Sequence, residues 1–111
     1  MAVRLNKPWI PSTEVLEQLR GNLGVFEFAD EQEQILFIGF AGGKSAFGLK
    51  GEVAKALQTH GSAQFVRYEV TSAYHTRYRE LLMAHQADHG ELPALNASDE
   101  SPITLGRISP S

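Results

Sequence analysis

The chain has no cysteine among its 111 residues. That excludes disulfide staples, a thiol nucleophile and every zinc or iron–sulfur site built on thiolates. It also lacks an excess of positive charge. Ten Lys and Arg stand against 13 Asp and Glu, a formal net charge of −3, which excludes a generic polycation for nucleic acid. Long hydrophobic runs are missing too. The longest, Ile35 to Ala41, falls far short of the ~20 residues that span a bilayer. Residues Met1 to Lys7 lack the apolar stretch of a signal peptide. A cytoplasmic protein without membrane contact is therefore expected. What remains is an ordinary 42% of hydrophobic residues, enough for one packed domain at a length that argues against two.

Pro8 and Pro11 flank Trp9 and Ile10, so the first residues read as an extended arm whose apolar side chains pack onto the domain edge. Ser12 or Thr13 reads as an N-cap, with Glu14 and Glu17 where the helix dipole favours anions. Val15, Leu16 and Leu19 form a short stripe that Gly21 or Gly24 ends. A hairpin pattern follows. Gly24 to Ala29 is rich in aromatic and β-branched residues, Asp30 to Glu33 is a polar turn, and Gln34 to Phe40 is the nearly continuous apolar run of a covered strand. Phe26, Phe28 and Phe37 are placed to meet across the pair. A helix over Lys50 to His60, a strand over Gln64 to Val70 and a long helix over Ala73 to His89, ended by Gly90, complete the pattern. Thr71 or Ser72 is positioned to cap the long helix. The expected fold is α+β: a small, mainly antiparallel three-stranded sheet flanked by helices. Residues 1–23 form the arm and short helix, 24–96 the domain, and 97–111, rich in Ser, Pro, Asp and Gly, a flexible tail.

Several motifs invite chemical readings. Gly42-Gly43-Lys44-Ser45 follows a strand and precedes a helix, as a phosphate-binding loop does. A Walker A motif, however, needs glycine five positions before the one preceding its lysine. Ile38 occupies that position and the glycine sits at Gly39, so a flexible connection is the better reading. His85 and His89 share a helix face at a spacing that suits metal ligands, although no third ligand is indicated. Histidines near a helix C-terminus are also favoured by the dipole alone. Ser45 and Ser62 have no nucleophile-elbow context. Arg67, Tyr68, Tyr74, Arg77, Tyr78 and Arg79 interleave cations with aromatics, as nucleic-acid binders do. The same spacing also fits a helix whose Tyr74, Tyr78, Leu81, Leu82 and His85 face a core.

Gly24-Val25-Phe26 and Phe37-Ile38-Gly39, followed by a helix, a strand, a helix bearing Glu80 and then Asn96 after Pro93, together resemble the GIY-YIG nuclease superfamily. The likeness spans residues 24–96 and rests on paired tripeptides, a glutamate and an asparagine occurring in order. It implies a site in which a glutamate holds a divalent cation, an arginine clamps phosphate, and two tyrosines handle the nucleophile's proton. Carried over by position, Glu80 matches the metal ligand, Asn96 the asparagine and Lys50 the arginine. Phe26 and Phe37 stand where the family has tyrosines. Phenylalanine can neither donate, accept nor ionise, and lysine lacks the bidentate fork.

The expected function is thus a catalytically degenerate GIY-YIG-like domain that binds a protein partner and needs no cofactor. The alternative is a metal-dependent DNA endonuclease using Lys50, Glu80 and Asn96 with Mg or Mn on Glu80. Nucleic-acid binding through Arg67, Arg77 and Arg79 is the remaining possibility.

Overall fold

The hairpin forms where the glycine-bounded apolar segments place it. In a computed structural model, which describes Leu5 and residues 7–99, strands β2 (Gly24–Ala29) and β3 (Ile35–Ala41) pair antiparallel. Between them, Asp30 Oδ1 accepts the amides of Gln32 and Gln34, both at 2.9 Å. Phe28 pairs with Phe37 but Ala29 with Ile35, so Leu36 is the extra residue of a bulge. Strand β4 (Phe65–Val70) pairs antiparallel with the other side of β2.

The sheet has four strands rather than the three expected. Strand β1 (Ile10–Pro11) pairs with β4, Ile10 opposite Val66 and Pro11 opposite Phe65, giving the order β1-β4-β2-β3. Two residues ending in proline carry no strand signal, and proline is tolerated there because β1 is an edge. The arm is thus tied into the sheet, and Ser12 donates its amide to Gln64 O at 2.9 Å.

Helix α1 (Val15–Gln18) is a single turn with Glu14 at its N-cap and no side-chain cap. It is shorter than the capping signals at Ser12 and Thr13 suggest. Helix α2 (Gly48–Thr59) starts two residues before the expected Lys50. Gly48 takes φ +59, and a Cβ there would lie 2.3 Å from the carbonyl carbon of Gly21; only glycine fits. This close approach lets the chain at 20–22 cap α2, with Leu49 N–H donating to Asn22 O at 2.8 Å and Lys50 N–H to Arg20 O at 3.0 Å. Helix α3 (Tyr74–His89) ends at Gly90 as expected, and the Thr71 hydroxyl accepts the amide of Ala73 at 3.0 Å. Helix α4 (Ala94–Asp99) carries regular structure past Asn96. The flexible tail expected from 97 is therefore helical to Asp99, and its remainder lies outside the described residues.

Side-chain alternation along the strands builds two cores. Phe26, Phe28 and Val66 pack with Leu49 and Val53 of α2 and Val15 and Leu19 of α1. Val25 and Ile38 point the other way and pack with Tyr78, Leu81 and Leu82 of α3 and with Leu5. Helices on both faces explain why β3 reads as a nearly continuous apolar run. Among the described residues no helix is long and apolar enough to cross a membrane.

Candidate binding site along the outer edge of β3

Strand β3 ends the sheet, so its outer side faces helices and solvent instead of another strand. Two cavities lie along it. One, of about 250 Å³, is walled by Phe26, Phe37, Gly39 and Phe40 and by Glu52, Lys55, Ala56, Thr59 and His60 of α2 and its end, with Tyr78 of α3 contributing. The other, of about 620 Å³, shares Phe40 and Glu52 with the first and continues past Gly42 to Ser45, Tyr74 and His75.

The tripeptide positions meet here. Phe26 pairs across the hairpin with Gly39, and a Cβ on Gly39 would lie 2.4 Å from Phe26 Cζ. The glycine therefore leaves room for the ring to fold over β3, with Phe37 at 6.1 Å centroid to centroid. Phe37 in turn contacts the imidazole of His60 at 4.7 Å. Phe40 stacks on Tyr74, the rings 5.8 Å apart and 5° from parallel. The wall is mostly aromatic, with Lys55 and Glu52, 3.8 Å apart, as the charged pair above it.

The residues assigned by position to catalysis lie elsewhere. Lys50 is exposed and lines neither cavity. Two residues along a helix turn it by about 200°, which puts Lys50 nearly opposite Glu52. Helical spacing was the signal that could have found the right face, because positions 52, 55, 56 and 59 follow i, i+3, i+4, i+7. Asn96 is fully buried. Its Oδ1 accepts the amide of Ile38 at 2.7 Å and its Nδ2 donates to Ile38 O at 3.0 Å. The side chain thus imitates a neighbouring strand at the middle of β3.

Glu80 is half-exposed and takes Arg77 Nη1 at 3.3 Å. A cation on this carboxylate would share it with a guanidinium that Glu69 already holds. No group of three or more His, Asp or Glu side chains converges to hold a metal among the described residues. The metal role that the resemblance implies for Glu80 thus competes with its pairing to Arg77.

The arginines are similarly engaged. Arg77 donates through Nε and Nη2 to Glu69 at 3.2–3.3 Å as well as to Glu80. Burial works against its charge, but the hydrogen bond and charge of Glu69, then Glu80, hold its pKa above the ordinary value. Arg67 donates through Nε to Glu27 at 2.7 Å, and its guanidinium lies 4.1 Å from the centre of the Trp9 ring. Burial raises the Glu27 carboxyl above its ordinary 4.5, against the lowering effect of Arg67. Arg79 alone of the three is exposed.

Several amides of the glycine loop are also engaged. Gly42 N–H donates to Ser45 Oγ at 3.0 Å, Gly43 N–H to the Tyr74 hydroxyl at 3.1 Å and Ser45 N–H to Gly42 O at 3.0 Å. With the start of α2 capped by Arg20 and Asn22, this loop is not arranged as a phosphate cradle.

Fold and site together define a small α+β domain with an aromatic-walled edge groove. A profile described as a domain of unknown function (DUF7508) matches residues 3–88, and the chain belongs to that family. Comparison with curated proteins finds no match.

Proposed function

We propose that this chain is a GIY-YIG-like domain that binds a protein partner at the outer edge of β3 and does not cleave DNA. One observation carries the reading: Phe26 and Phe37, at the two tripeptide positions, wall a single cavity whose one phenol, Tyr78, comes from α3 and not from the hairpin. The order hairpin, helix, strand, helix supports the family likeness. The engagement of Arg67 and Arg77 by carboxylates supports a partner other than nucleic acid. An apolar, aromatic wall with one charged pair suits a protein surface, where aromatic anchors supply most of the binding energy.

The test is to incubate the full chain with plasmid and branched DNA in Mg²⁺ or Mn²⁺, beside Glu80→Ala. The expected result is no cleavage by either protein and no salt-sensitive retention of DNA. Metal-dependent cleavage that Glu80→Ala abolishes would overturn the proposal in favour of an active endonuclease.

A further inference from the structure

The C-terminal end of α3 carries a second constellation, which shares no lining residue with the β3 groove and is independent of the reading above. His85 and His89 lie one turn apart, and their rings sit 4.3 Å from centroid to centroid. His89 is exposed and His85 half-buried. Gly90 takes the left-handed conformation, φ +80, and its amide donates to Gln86 O at 2.7 Å. That turn brings Glu91 back over the last turn of the helix, where its carbonyl lies 2.9 Å from His85 Nδ1.

A carbonyl oxygen can only accept, so the proton of this hydrogen bond belongs to Nδ1. In the neutral ring the lone pair is then on Nε2. Metal-binding histidines are commonly arranged this way, one ring nitrogen donating to a carbonyl while the other binds the ion. The i, i+4 spacing puts both rings on one face of the helix, their centroids 4.3 Å apart, within the span that a single ion bonded at about 2.0–2.1 Å to one nitrogen of each ring can bridge. Both rings line a cleft of about 370 Å³ to which Asp30, Glu33 and Glu91 also contribute. Its carboxylates add negative charge around the pair.

We infer that His85 and His89 form a chelating pair for a divalent cation of the zinc class. No third side chain is in ligating position among the described residues, so water completes the coordination and the site stays open to an outside ligand. Imidazole selects zinc over magnesium, whose preference is for oxygen donors.

The probe is zinc chloride alone, titrated into the full chain by calorimetry at neutral pH, with the imidazole nitrogens followed by NMR. The expected result is saturable binding of a single equivalent, in which the His85 and His89 resonances move together while those of His60 and His75 stay. His89→Ala, which removes an exposed side chain, should weaken binding by about tenfold or more, and magnesium chloride should give no response. Absence of saturable binding, binding unchanged in His89→Ala, or shifts centred on His60 or His75 would each overturn the assignment. None of these outcomes bears on whether the chain cleaves DNA, so the two proposals fail separately.

Discussion

Glu27 sits on β2, inside the sheet, with 2% of its surface exposed, and accepts a hydrogen bond from Arg67 Nε. Burial outweighs that partner, so the carboxyl is easier to protonate in the folded chain than in the unfolded one. The folded state therefore binds the extra proton more tightly. Stability from this group is greatest while it is protonated, and is lost as pH climbs from the ordinary 4.5 through the raised folded value. Glutamine keeps an oxygen for Arg67 Nε and does not titrate. Urea denaturation of Glu27→Gln between about pH 4 and pH 8 should show a smaller fall in stability with rising pH than the parent chain. Parallel pH profiles for the two proteins would show that burial does not dominate at Glu27.

At the level of elements, Asn96 couples α4 to β3. Alanine there would leave the amide and carbonyl of Ile38, a residue with no exposed surface, without their partners. The expected loss is about 2–4 kcal/mol by chemical denaturation, from two buried polar groups left unsatisfied; a change below about 0.5 kcal/mol, typical of surface substitutions, would mean that water replaces the clamp. This contact also shows what a linear reading reaches. The hairpin, α2, β4 and α3 were legible to within two residues, because glycines bound the strands and helical periods mark the faces. Strand β1 was not, since Ile10 and Pro11 form a strand only because β4 offers them an edge. The single-turn α1 was overextended from good capping residues that are not used as caps. In the site, the meeting of Phe26, Phe28 and Phe37 across the hairpin was legible, whereas the cavity that Phe26 and Phe37 share with α2 was not. Lys50 was placed by counting from Phe37-Ile38-Gly39, whereas the helical period presents Lys55 to the cavity. The roles of Asn96, Arg67 and Arg77 depend on partners 58, 40 and 8 residues away in sequence, and pairings of that kind leave no local pattern.

Over the whole molecule, the net charge of −3 goes with a commitment of Arg67 and Arg77 to internal carboxylates. Glu27, Glu69 and Glu80 are spent on Arg67 and Arg77, which makes the basic–aromatic stretch of β4 and α3 an internal brace between sheet and helix. The Asn96 clamp has a counterpart consequence at this scale. Strand β3, Ile-Leu-Phe-Ile-Gly-Phe-Ala, is an apolar edge of the kind that recruits strands from other molecules. The family match ends at residue 88, before α4 and its asparagine. A chain cut after Gly90 should therefore grow into oligomers or fibrils by adding β3 to β3, seen as rising mass in light scattering and thioflavin fluorescence. If the shortened chain stays monomeric, the clamp is dispensable. If it polymerises, the short segment beyond the family boundary is what keeps copies of this protein apart.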